Sequence, residues 1–245
     1  MSDDTQSPPA ETGMPLYAEP SIVAIALRTA GVLLVFTLAF TALMAGMHSV
    51  TAPRLAASAL EQKRKLIGEV LPPDRYDNDL LADRILLAPQ TALNTEGTTQ
   101  VYRARHNGQP VAVVFEAAAN DGYSGRIELL IAVGADGRMV ALRVTQHKET
   151  PGLGDYIDPR KDRNKARPWI TQFDHVGFAD IAPARWRVRK DGGQFDQMNG
   201  ATISARAVTN ASREALAWAT PRLPMLFDLP ANAETTGELP NGATQ

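Results

Sequence analysis

The chain has 245 residues, a formal net charge of −2 and no cysteine. That length fits one domain with appendages, and near-neutrality gives no electrostatic reason to expect a nucleic-acid partner. The lack of cysteine excludes disulfides, thiolate iron–sulfur ligation, thioether-linked haem and a cysteine nucleophile. The four histidines, His48, His106, His147 and His175, are not spaced as a metal pair on a helix, so no metal site is expected. Redox work by such a chain needs an organic cofactor.

In chain order, residues 1–20 are polar, acidic and proline-containing, and read as disordered. Residues 21–50 read as a transmembrane helix. The run AGVLLVFTLAFTALMAGM at 30–47 holds no charge, and with the apolar residues before it can cross a hydrocarbon core of about 30 Å. Arg28 would snorkel to one interface. A cleaved signal peptide fits poorly, because the stretch is long, starts late and lacks a small-x-small site after it. A buried core helix fits poorly with a segment apolar on all sides. Only Arg28 precedes the apolar run, whereas Arg54, Lys63, Arg64 and Lys65 follow it. Counted plainly, these charges would leave the C-terminal part in the cytoplasm.

Residues 51–84 read as a helical linker, with helix formers over 52–71 stopped by Pro72-Pro73. A globular domain is expected over 85–229. Strands are predicted at 100–105, 110–116, 126–133 and 139–146, the last two joined by the Gly134-Ala135-Asp136-Gly137 turn. A further strand is predicted at 184–190 around Trp186 and Val188, ended by Asp191-Gly192-Gly193. Residues 203–219 read as a helix with Ile203, Ala207, Ala211, Ala215 and Trp218 on one face, closed by Pro221. Residues 230–245 read as a disordered tail. The expected fold class is α+β: one N-terminal membrane helix, then a small domain with an antiparallel sheet and flanking helices.

Three segments concentrate the chemistry. The first is Asp196-Gln197-Met198-Asn199-Gly200-Ala201-Thr202, directly before the helix. Gly200 and Ala201 leave the backbone open to close approach. Thr202 falls at the cap or first turn, where unpaired amides and the helix dipole favour a phosphate. Arg206, one turn on, is placed to add a charge-assisted bond. The plainer alternative is that Asn199 or Thr202 only caps the helix. The second segment runs from His147 through Glu149-Thr150-Pro151-Gly152-Leu153-Gly154 to Asp155, a loop by its Pro-Gly content. The third is Gly122-Tyr123-Ser124-Gly125, where Tyr123 reads equally as a ring-stacking or a structural tyrosine. The basic run RKDRNKAR at 160–167 reads as a solvated charge run rather than a docking site.

The first segment resembles the Asp-x-x-(Ser/Thr)-Gly-Ala-Thr flavinylation motif of the FMN-binding domain family. Asp196, Gly200, Ala201 and Thr202 are in register, and Asn199 replaces the usual Ser or Thr. Glu149-Thr150-Pro151-Gly152-Leu153-Gly154 and Gly122-Tyr123-Ser124-Gly125 resemble the family's other signatures, in family order. The family includes the G subunit of the Rnf electron transport complex and the C subunit of the sodium-translocating NADH:quinone reductase. The run from Asn199 to Asn210 is most similar to the version in the Rnf complex.

The resemblance implies FMN joined covalently by its phosphate to the Thr202 hydroxyl, a bond made by a flavin transferase with FAD as donor. Asp196, Asn199, Gly200, Ala201, Glu149, Thr150, Gly152, Leu153 and Tyr123 would surround the cofactor. It also implies a flavin domain on the periplasmic side of the inner membrane, against the plain charge count. In that setting the chain relays electrons among partner subunits and is not a complete enzyme. Other readings are the C subunit of a sodium-translocating NADH:quinone reductase, which shares the attachment chemistry and the anchor; a free-standing membrane-anchored flavoprotein reductase, for which no dinucleotide fingerprint is present; and a flavin-free assembly factor.

Overall fold

The computed structural model describes residues 21–240. The disorder expected for residues 1–20 and 241–245 lies outside the described residues. The chain divides into two units, Met1–Ala59 and Leu60–Gln245. Helix α1 (Ile22–Val70) is continuous across that division. Its portion Ile22–Ala52 has mean hydropathy 2.2 and is 0% buried over its most apolar window, so it is long and apolar enough to cross a membrane. Thr29, Thr37 and Thr51 donate to the carbonyls of Ile25, Leu33 and Met47 at 2.9, 2.8 and 2.7 Å. Their hydroxyls are thereby satisfied within the helix, as an apolar solvent requires.

No separate linker helix forms over 51–84. A proline at position 53 removes one backbone donor, but the Ala-, Leu- and Lys-rich run behind it keeps the chain helical to Val70. Residues 71–83 are turns, including one short helical turn, Pro73–Arg75.

In the second unit, β1 (Arg84–Leu87), β2 (Thr99–His106), β3 (Gln109–Gly122), β4 (Gly125–Gly134) and β5 (Met139–Gln146) form a five-stranded antiparallel meander in sequence order. The β5 prediction matches residue for residue. Strand β3 runs well past the predicted 110–116, because Ala117, Ala118 and Ala119 pair with Leu129, Glu128 and Ile127. Cross-strand pairing there overrides alanine's weak strand preference. Asn107 and Gly108, with φ of 51° and 74°, turn β2 into β3.

Both faces of the sheet are covered, which explains the near-continuous apolar run at 111–115. On one face Val113, Phe115, Leu129, Ile131 and Leu142 pack against helix α2 (Thr202–Ala219) through Ala205, Val208, Ala215 and Leu216. On the other, the smaller Ala104, Ala112, Val114 and Ala132, with Tyr102, receive Ile67 and Val70 from the end of α1.

Two expectations for the C-terminal half are corrected. Residues 184–190 are not a ladder strand: they consist of two short helical turns, Pro183–Arg185 and Arg189–Asp191, and one bridge between Val188 and Phe195. The in-out alternation is real, since Trp186 and Val188 are buried, but Pro183 and the Gly192-Gly193 reversal prevent extended pairing. Residues 230–240 are not a free tail. Their backbone bonds to β1 (Leu86 N to Ala233 O at 2.8 Å, Thr235 N to Leu86 O at 2.9 Å), closing an otherwise open sheet edge. Before them lies the short helix α3 (Leu223–Asp228).

Candidate functional site

The three sequence segments meet where α2 begins. Met198 to Ala201 form a β-turn closed by Ala201 N to Met198 O at 3.2 Å. Gly200 occupies its left-handed position with φ 87°, which a side-chain-bearing residue adopts only at a cost. The Tyr156 hydroxyl clamps this turn from below, accepting from Met198 N at 3.2 Å and donating to Ala201 O at 3.3 Å. Burial pushes the Tyr156 hydroxyl up to about 12, against the opposing effect of the Met198 hydrogen bond.

Ala201, not Asn199 or Thr202, is the N-cap residue, and no side chain caps the helix. Asn199 stands exposed in the turn. Thr202 is the first helical residue. Within α2, Thr209 returns its hydroxyl to the Ala205 carbonyl at 2.7 Å. The Thr202 hydroxyl has no hydrogen-bond partner among the described residues. The helix start therefore offers unpaired amides, a positive dipole end and a free hydroxyl together.

Glu149 is the tie between the segments. Its carboxylate is 4% exposed; one oxygen accepts from Ser124 N at 3.0 Å, and the other accepts a short hydrogen bond from the Ser204 hydroxyl. The fit is tight. A Cβ on Gly122 would lie 2.9 Å from Glu149 Oε1, and one on Gly154 would lie 2.9 Å from Glu149 Oε2. The Glu149 amide donates to His147 Nδ1 at 3.1 Å, which sets the entry to the loop. Glu149 thus holds the site together with both oxygens engaged by protein.

Around this tie lies a cavity of about 110 Å³ lined by Tyr123, Glu149, Thr150, Leu153, Gly154, Gly200, Ala201, Ile203 and Ser204. Tyr123, Leu153 and Ile203 are 66%, 42% and 43% exposed; outside α1 they are the exposed large hydrophobic residues among those described, and all three border this cavity. Such a concentration of bare apolar surface marks a ligand or partner seat.

Of the predicted site residues, Tyr123, Glu149, Thr150, Leu153, Gly200 and Ala201 line the cavity, and Thr202 sits between two lining residues. Gly152 and Asn199 lie outside its lining. Asp196 lies on the far side of the turn, paired with Arg189 at 2.9 Å. There it borders a second cavity, of about 380 Å³, with Arg167, Trp169 and Gln172. Arg206 does not point to a free anion site: it binds Asp191 through two bonds of 2.6 and 2.8 Å, and this holds the Asp191 carboxyl below its ordinary range. Ile203 leaves the predicted apolar stripe: it is 43% exposed and borders the cavity, while its neighbours Ser204 and Ala205 are buried. Sequence reasoning missed Ser204, Tyr156 and Ile203 as parts of the site. Only Ser204, in the first turn of the helix, carried a local signal.

Residues 122–217 match the FMN-binding domain family, and residues 22–70 match the RnfG N-terminal region. The G subunit of the ion-translocating oxidoreductase complex from Pseudomonas aeruginosa is 42% identical over 190 residues, 78% of this chain and 86% of that protein. Its counterpart in Escherichia coli K12 is 41% identical over 203 residues, covering 82% and 95%. That from Shewanella baltica is 35% identical over 202 residues, covering 82% and 93%. The chain belongs to this RnfG family. The matched FMN-binding region contains all three segments that converge at α2, and the second match coincides with α1, so family and geometry single out the same parts of the molecule.

Proposed function

We propose that this chain carries one FMN as a phosphoester of the Thr202 hydroxyl and passes electrons between partner subunits of a membrane ion-translocating oxidoreductase. The observation that carries the reading is the meeting of an uncapped helix start, a free Thr202 hydroxyl and the exposed apolar trio of Tyr123, Leu153 and Ile203. The first two suit a phosphate, and the third suits a flat apolar ring whose bulk exceeds the 110 Å³ cavity and rests on its rim. When bound, FMN supplies one- and two-electron redox chemistry; the protein positions and tunes it. Thr202 provides the attachment oxygen, Gly200 lets the chain pass close to the phosphate, and Glu149 with Tyr156 keeps the turn and helix start rigid. A flavin transferase would make the bond from FAD: the Thr202 oxygen displaces AMP from the FMN phosphorus as the pyrophosphate linkage breaks.

In this reading the flavin domain faces the periplasm, although basic residues follow the apolar helix. Folded domains of this length translocate despite such charges. Since the chain has no cysteine, Lys161→Cys is a clean reporter: labelling by an impermeant maleimide in intact spheroplasts is expected, and labelling only after lysis would reverse the orientation.

The attachment is tested by intact mass of the full chain produced with the transferase, beside Thr202→Val. A mass gain of one FMN in the parent alone is expected. A gain in both would place the bond elsewhere, and a gain in neither, with the transferase active on a control acceptor, would remove covalent attachment.

A further inference from the structure

The segment before the attachment turn carries Arg185, Arg187, Arg189 and Lys190 within six residues of a chain whose net charge is −2. Trp186 and Val188 are 0% and 1% exposed, so the three alternating arginines stand on the outer side. The edge is fixed rather than loose. The Trp186 indole donates to Ser212 Oγ on α2 at 2.9 Å, and Gly193 lies so close behind that a Cβ there would sit 1.9 Å from the Arg187 carbonyl oxygen.

Carboxylates nearby neutralise only part of this charge. Asp196 pairs with Arg189, and Asp191 is taken by Arg206. Arg185, Arg187 and Lys190 have no carboxylate partner among the described residues. Arg206 lies one turn beyond Thr202, and its partner Asp191 follows Lys190 directly, so the cationic edge borders the start of α2. Arg187 and Lys190 both act on the Asp191 carboxyl, after Arg206, which places them within electrostatic reach of that helix start.

We infer that this edge is a docking face for the acidic surface of a redox protein that exchanges electrons at the start of α2; the inference rests on FMN attachment at Thr202. Complementary charge speeds encounter and orients it, and the gain falls as salt screens it. A protein partner is favoured over an anionic lipid surface by position. Whatever covers this edge also covers the attachment end of α2, and a bilayer there would shut the flavin away from a second redox centre.

The test uses the flavinylated full chain in membranes with its partner subunits. Intact mass first establishes FMN at Thr202, and stopped-flow absorbance then follows reduction of that flavin as salt is raised. The parent is expected to slow with salt. Arg187→Glu/Lys190→Glu is expected to be slower on the order of tenfold at low salt and to speed up as salt rises. Lys65→Glu/Arg75→Glu, equal in charge change but in α1 and the turn after it, is expected to follow the parent. The same salt response in all three proteins would overturn the inference, as would a Lys65→Glu/Arg75→Glu variant that behaves like the edge variant. Loss of FMN from the edge variant alone would overturn it too, because the edge would then serve the transferase. Salt-sensitive binding of the parent, but not the edge variant, to phosphatidylglycerol vesicles would reassign the edge to lipid. Absence of FMN from the parent would instead sink the attachment reading itself.

Discussion

The C-terminal end of α3 and the N-terminal end of α2 lie in the same domain and are finished in opposite ways. At α3, Arg103 reaches the carbonyls of Leu226 and Phe227 at 3.1 and 3.3 Å and that of Leu229. Arg105 adds a bond to Phe227 O at 2.7 Å. Asp83 balances both guanidiniums. A cation at the negative end of a helix, with the open carbonyls filled, is a closed arrangement. At α2, no side chain caps the start, the Thr202 hydroxyl is free, and three apolar side chains stand bare beside it. Apart from the buried Arg103 Nε, which has no hydrogen-bond partner, the polar groups of this cluster are matched, whereas those at the start of α2 stay open for a ligand to complete.

The sharpest way to break that contrast is at the closed end. Arg103 is 2% exposed, so Arg103→Met leaves Asp83 without one of its two cations and several carbonyls without a donor. A loss of about 3 kcal/mol is expected by denaturant unfolding. On the proposed attachment at Thr202, FMN loading at a temperature where the variant is folded should be unchanged, since Thr202 and its turn make no contact with this cluster. A loss below about 1 kcal/mol would mean that water replaces the guanidinium without strain.

The next test moves to the one part of the open end that is closed. Glu149→Ala removes the acceptor for Ser124 N and for the Ser204 hydroxyl. The expected loss is about 2 kcal/mol, with faster hydrogen exchange confined to residues 122–125, 149–154 and the first turn of α2. Uniform protection across those segments would show that the loops hold without their shared carboxylate.

These two clusters also show what is legible in the sequence. The apolar runs of β2 to β5, the Asp-Gly turn and most of the apolar stripe of α2 are local patterns, and they emerge close to where they are expected. So does the turn before α2, because Gly200-Ala201-Thr202 carries its own backbone logic. Arg103 with α3, and Glu149 with Ser204, join residues 123 and 55 positions apart. No local period encodes such pairs. The C-terminal residues 230–240 escape sequence reading for the same reason: their composition suits a free tail, and only the open edge of β1 gives their backbone a partner. Asp196 is the converse case. Its place in the motif suggests a cofactor contact, yet its carboxylate pairs with Arg189 on the other side of the turn.

A smaller effect is expected from Tyr156→Phe. Removing the phenol hydroxyl breaks both bonds to the Met198–Ala201 turn, and about 1 kcal/mol should go with them near neutral pH. The pH dependence has a definite sign. The folded value is raised to about 12 from an ordinary 10.0, so folding favours the neutral phenol. Its contribution is fully present below pH 10 and is lost as pH rises through 12. The stability gap between parent and variant should hold from neutrality to about pH 10 and narrow above it. Absorbance titration at alkaline pH should show one late-ionising tyrosine fewer in the variant. A gap that stays constant through pH 12 would place the phenol in a wetter setting than its burial indicates.

The smallest effect on stability is expected at the bare rim, where the comparison is most specific. Leu153 and Ile203 are 42% and 43% exposed, so Leu153→Ser or Ile203→Ser should shift unfolding by no more than about 0.5 kcal/mol. With a flavin attached at Thr202, the same substitutions should matter more, because the ring loses the apolar surface on which it rests. Fluorescence of the attached flavin should become more accessible to iodide quenching in each variant and most in the double variant, with attachment itself intact. Unchanged quenching would mean that the ring turns away from Leu153 and Ile203. The open end would then supply the phosphate anchor alone, and the apolar trio would belong to a protein partner instead.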